Sequence, residues 1–185
     1  MNDIGWQVWT TIQHEFGDIP DVPELTRTCV RILMAVLLGG LLGYERESHG
    51  KSAGLRTHML VALGSAMFVL VPLQAGMAVA DLSRVLQGIV AGIGFLGAGT
   101  IMKVRGDGEI RGLTTAASVW LTAAVGVAAG MGHETTAVIT TLLALFILAA
   151  LKRFAHRRRE ASARLDKRII PAAPDLTESA KTGER

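Results

Sequence analysis

The sequence predicts an all-α membrane protein, a compact bundle of about five transmembrane helices with its N-terminus outside and its C-terminus cytoplasmic. Three observations carry that prediction. Half of the 185 residues are apolar and only 19% are charged, and the mean hydropathy is +0.38, too greasy for an ordinary water-soluble domain. Apolar stretches recur at 30–43, 57–73, 84–102, 113–131 and 135–151, several near the short end of the ~17 to 25 residues that cross a bilayer. The third stretch holds five glycines and one charge, a composition that lets helix backbones approach closely in lipid, where no hydrophobic force holds helices together.

The chain divides into an N-terminal segment (1–26), a transmembrane domain (27–154) and a basic tail (155–185). In the first segment Val8, Trp9, Ile12 and Phe16 recur at near-helical spacing, which predicts a short interfacial helix with Trp6 and Trp9 at headgroup level. Pro20 and Pro23 are expected to end it before the first span. A basic n-region followed by an apolar core and a small-residue cleavage site is not seen, so the first span is expected to direct insertion. Cys29 has no His or Cys neighbour at metal-ligand spacing and is expected to be a small packing residue.

The first span ends in Gly39, Gly40 and Gly43, a close-approach face. Directly after it come Glu45, Arg46 and Glu47, then Lys51, Arg56 and Thr57. An unpartnered charge at a membrane boundary is costly, so ion pairing within this segment or with another loop is expected. On that basis Glu45→Gln and Arg56→Gln are each predicted to leave a boundary charge unpaired and to impair function.

The second span sets His58, Ala62, Ser65 and Val69 on one helical face. Arg84 and Gln87 share the entry face of the central helix, where Gly88, Gly92 and Gly99 fall in one arc and Gly94 and Gly97 lie opposite. Contact with neighbours on both faces is expected, which would make this helix the interior one. Gly92-Ile-Gly94-Phe-Leu-Gly97 spells a dinucleotide-binding fingerprint, but it lies inside an apolar span with no acidic residue at the ribose-binding distance, so no cofactor is assigned.

The glycines between Lys103 and Gly112 suit a tight turn or small hairpin. Asp107 and Glu109, with Glu45 and Glu47, are hard-cation ligands by type, yet they are interleaved with Lys and Arg and are expected to be neutralised by them, leaving no metal site. The fourth span opens with Leu113, Thr114 and Thr115, and Thr115, Ser118, Thr122, Gly126 and Ala129 make a stripe of small and hydroxyl residues predicted to face the bundle. The fifth span has no such stripe and is expected to be peripheral.

Eight Lys and Arg residues fall between Lys152 and Arg168, a juxtamembrane cluster that suits anionic lipid at the cytoplasmic surface. Aromatic residues are not interleaved with them, so nucleic-acid binding is excluded. Beyond residue 155 the charged, proline-punctuated composition predicts a frayed helix followed by disorder. The loops after the first and third spans carry three basic residues each, the other two loops one and none. Positive charge therefore puts the odd-numbered loops and the tail in the cytoplasm.

Three blocks together resemble one bacterial family. They are Gly43-Tyr-Glu45-Arg46-Glu47 with Lys51 and Ala53-Gly54-Leu55-Arg56-Thr57; Arg84-x-x-Gln87 with the glycines at 92, 94, 97 and 99; and Gly112-Leu-Thr114-Thr115-Ala-Ala-Ser118-Val-Trp120. In order and spacing they resemble the MgtC/SapB family of inner-membrane proteins over about residues 30 to 132. The resemblance implies a five-helix domain in the bacterial plasma membrane, linked to magnesium homeostasis, adaptation to low magnesium and virulence. Its best-known member resembles a regulator that restrains the proton-driven ATP synthase, which makes that complex the implied partner; a homo-oligomer is left open. Longer members carry a soluble domain after the fifth helix, and this chain is similar to the short form. Two functions compete: a non-enzymatic regulator that docks on another membrane complex, and a small transporter with Ser65, Thr115, Ser118 and Thr122 lining a polar path. The absence of an acidic residue deep in any span counts against coupled cation transport, and no nucleophile, base and orienter share a depth, which counts against an enzyme.

Overall fold

The computed structural model describes residues 4–15, 21–103 and 110–150. Expectations for Pro20, for Asp107 and Glu109, and for the tail at 155–185 lie outside the described residues. The architecture is helical: α1 (Ile4–Glu15), α2 (Val22–Ser48), α3 (Leu55–Gln74), a 3-10 turn (Val79–Asp81), α4 (Leu82–Gly99), α5 (Leu113–Gly130) and α6 (Glu134–Ala150). Two short strands, β1 (Met102–Lys103) and β2 (Ile110–Arg111), join α4 to α5 as an antiparallel hairpin. Among the described residues four helices are long and apolar enough to cross a membrane, and α6 is a shorter apolar helix.

Pro23 does not stop a helix before the first span. It sits in the first turn of α2, where its missing N–H removes a donor that would have no intrahelical partner and its fixed φ suits the start of a helix. At the other junction, Gly112 has φ of +98° and caps the start of α5. A side chain there would meet the Thr100 carbonyl as well as a disfavoured backbone conformation.

The packed interior is α2, α3 and α5. Half of the most apolar stretch of α5 is buried, against 11% for the 3-10 turn and α4 together. Gly39 and Gly43 of α2 lie against α3, where a Cβ would come within 2.7 Å of Ala62 Cβ and of Leu55 Cα respectively. On α5, a Cβ at Gly126 would strike the Ala62 carbonyl, and one at Gly130 would come within 2.7 Å of Val69 Cγ2. These pairings run in opposite directions for α2 and α3 and in the same direction for α3 and α5. The α3 face His58, Ala62, Ser65, Ala66 and Val69 is buried, and so is the α5 stripe Thr115, Ser118, Thr122, Gly126 and Ala129.

The expectation that α4 is the interior helix is therefore corrected. Gly88, Gly92, Gly94 and Gly99 have nothing within 4 Å of a Cβ position, and only Gly97 has a neighbour, Ala116 Cβ at 3.6 Å. Ile93 packs with Val119 and Ala123 of α5, so α4 touches the bundle along one seam, with Phe95 on the outside at 81% exposure. An apolar cavity of about 640 Å³ separates α3 from α4, lined by Gly64, Ser65, Phe68, Gly88 and Gly92 among others. Cys29 is exposed and reduced rather than packed, because it lies on the outer face of α2.

Candidate functional site

The polar groups gather at the two ends of the α2–α3–α5 core. At the end where α2 finishes and α3 begins, the chain turns within six residues, 49–54, through Gly50 with φ of +63°. Glu47 Oε2 accepts the Leu55 N–H at 2.7 Å, which satisfies one of the open donors of the first α3 turn and suits the positive end of that helix. Glu45 is mostly buried: its Oε1 is 3.0 Å from His49 Nδ1 and its Oε2 is 3.5 Å from Arg46 Nη1. Arg46 is only 4% exposed. Its Nε and Nη2 are buried without a hydrogen-bond partner.

One turn deeper His58 bridges α3 and α5. Its Nδ1 is 2.9 Å from the Gly54 carbonyl and must donate there, since a carbonyl oxygen only accepts. Its Nε2 is 3.2 Å from Ser118 Oγ. Ser118 Oγ is also 2.8 Å from the Thr115 carbonyl, so its single proton serves either that carbonyl or the accepting Nε2 of a neutral His58; Thr122 donates to the Ser118 carbonyl at 2.8 Å. The Thr122 hydroxyl is thus bonded to its own helix, Ser118 stands between its own helix and α3, and His58 makes the cross-helix contact. Buried polar groups in an apolar surround need such partners.

Not every residue predicted for the boundary belongs to this cluster. Lys51, Arg56 and Thr57 are exposed, as are Arg84, Gln87 and Thr114, and Arg56 makes no ion pair among the described residues. Ser65 is buried at the edge of the α3–α4 cavity. Glu45 and Glu47 spend their oxygens on His49, Arg46 and the α3 N-terminus. Among the described residues no group of three or more His, Cys, Asp or Glu could hold a metal ion.

Sequence reasoning missed a second polar cluster at the opposite end. Arg31 of α2 donates from Nη1 to the Gly130 carbonyl at 3.4 Å and its Nε lies 3.9 Å from Glu134 Oε1, a cation at the negative end of α5. Gln74 Nε2 donates to Thr28 Oγ1 at 2.8 Å, tying α3 back to α2. The signal was present in Arg31 and Glu134, charges that bracket the apolar spans, but they stand about a hundred residues apart.

Long apolar helices packed through glycine, with charge confined to both ends of the core, define a multi-span helical membrane protein. The MgtC family profile matches residues 32–157, and the chain belongs to the MgtC family. It is 45% identical over 134 residues to Protein SrpB of Synechococcus elongatus, covering 66% of this chain and 74% of that one. It is 38% identical over 135 residues to the Putative magnesium transporter YhiD of Escherichia coli, covering 69% of this chain and 62% of that one. It is 41% identical over 145 residues to Protein MgtC of Salmonella typhi, covering 76% and 60%. The chain thus spans less than two thirds of the latter two relatives. No solved structure matches it.

Proposed function

We propose that this chain is a non-enzymatic regulator in the bacterial plasma membrane, acting through lateral contact of α4 with another membrane complex during adaptation to low magnesium. The observation that carries this reading is the asymmetry of the bundle. The glycines of α2 and α5 are used in internal packing, whereas those at 88, 92, 94 and 99 have nothing near them. Small residues on an open helix face are what close association in lipid requires. The resemblance to MgtC/SapB proteins suggests the proton-driven ATP synthase as that complex, and the name of the Escherichia coli relative, Putative magnesium transporter YhiD, supports the link to magnesium.

A photoreactive residue at position 95, on the outer face of α4, tests the reading in native membranes. The expected result is a crosslink to a subunit of another membrane complex, lost in Gly92→Leu; adducts with lipid alone would refute it. The orientation rests on the placement of Lys and Arg. A reporter after Arg185 should be cytoplasmic and one near Met77 external, and a cytoplasmic signal at Met77 would sink the arrangement.

Transport is the second reading, favoured by the apolar cavity between α3 and α4 with Ser65 at its wall and by the printed name of one relative. Against it stands the internal bonding of Ser118 and Thr122, whose hydroxyls lie against backbone carbonyls of their own helix. Liposomes loaded with ion-sensitive dyes decide it: flux above that of empty vesicles would favour the transporter.

A further inference from the structure

We propose that Arg46 is the core of a binding site for a phosphate-type oxyanion at the α2–α3 end of the bundle. This inference is independent of the docking reading above. The guanidinium is 4% exposed, and the two nitrogens left without partners are Nε and Nη2. Those two share one edge of the planar group, with N–H bonds that point the same way. That edge grips two oxygens of a single carboxylate or phosphate. Leaving it empty in a buried place is expensive, because each unsatisfied charged donor forfeits its hydration without return.

Among the described residues, the polar groups around it are committed elsewhere. Glu45 reaches only Nη1, at the 3.5 Å limit of a hydrogen bond, and its other oxygen is held by His49. Glu47 caps α3. Both ring nitrogens of His58 have partners, the Gly54 carbonyl and Ser118. The edge of Arg46 is thus buried and unpartnered, and it calls for a ligand from outside.

A phosphate suits the position better than a carboxylate. The segment 44–57 carries Arg46, Lys51 and Arg56 against Glu45 and Glu47, an excess of one positive charge with Lys51 and Arg56 exposed. A phosphate oxyanion gripped by two oxygens still presents others to such cations. Arg46 also stands at the end of a membrane span, and basic pockets between membrane helices at that depth take phospholipid headgroups. The same chemistry serves a lipid phosphate or free inorganic phosphate.

The test uses the purified full chain in detergent, delipidated and free of phosphate. Inorganic phosphate is titrated at constant ionic strength against chloride and acetate, and the unfolding temperature is read; a parallel set adds phosphatidylglycerol or a phosphate-free galactolipid. The wild-type chain should be stabilised by phosphate, by phosphatidylglycerol or by both, with chloride, acetate and galactolipid ineffective. Arg46→Lys, which keeps the charge and loses the fork, should need at least about tenfold more ligand, the order of a bidentate contact. If Arg46→Lys does not fold, Glu45→Gln/Arg46→Gln removes both charges together and should show no response. A response to phosphate alone assigns a free anion, and one to phosphatidylglycerol alone a lipid headgroup; either supports the site. A wild-type chain indifferent to both, acetate as effective as phosphate, or an undiminished response in the Arg46 variants would overturn it.

Discussion

Gly126→Leu should abolish accumulation of the folded protein, while Gly92→Leu should leave it intact. A Cβ at Gly126 runs into the Ala62 carbonyl, which belongs to the backbone of a neighbouring helix and cannot swing aside as a side chain can. Overpacking a core commonly costs about 1 to 3 kcal/mol, and a clash with backbone at the α3–α5 contact belongs at or above the top of that range. Separating those helices also pulls Ser118 from His58, the cross-helix contact about two turns away along α5. At Gly92 nothing lies within 4 Å, so a leucine projects into the α3–α4 cavity or toward lipid. Expression level and thermal unfolding in detergent decide the matter; equal loss at both positions would mean that α4 is packed against the chain after all. Because Gly92→Leu is expected to fold, any loss of function in that variant reports on docking by α4 rather than on stability.

Glu45→Gln should destabilise the protein, whereas Arg56→Gln should be nearly silent. Glu45 is the only carboxylate within ion-pair distance of the buried Arg46 among the described residues, and it also holds His49. Removing one member of a buried pair leaves the other charge uncompensated, a loss of up to about 3 to 5 kcal/mol. Exposed Arg56 has no such partner, and exposed charges contribute about 0 to 1 kcal/mol. Thermal unfolding of the two variants separates them. Added phosphate should recover part of the stability lost in Glu45→Gln, since an oxyanion at Arg46 supplies the missing counter-charge. A loss in Arg56→Gln equal to that in Glu45→Gln would restore the view that both charges form one boundary pair.

The apolar stretches, read in one dimension, placed α2 to α6 to within a few residues at most ends, and helical periodicity put His58, Ala62, Ser65 and Val69 on one face and Thr115, Ser118 and Thr122 on another. Those are local properties, set by composition and by the 100° turn per residue. The N-terminal boundary of α2 was less legible, because Pro23 can stop one helix or start the next and only the neighbouring chain decides which. The ion pairing of the first loop was expected from charge density, but its pattern, Glu45 with Arg46 and His49 rather than with Arg56, depends on how the last turn of α2 rotates against α3. Arg31 and Glu134 were invisible as a pair because they meet only when α2 is folded back along α5.

The sequence by itself determined that the apolar stretches are helices, roughly where they lie and which of their faces carry small or hydroxyl residues. Only the tertiary structure decided that α5 is inside and α4 outside, although α4 holds more glycine. The reason is physical: lipid is as apolar as a protein interior, so hydropathy does not distinguish a buried helix face from a lipid-facing one. Glycine marks a face that can be approached closely, and what approaches it is settled by the neighbours, which at Gly126 is the Ala62 backbone and at Gly92 is nothing among the described residues.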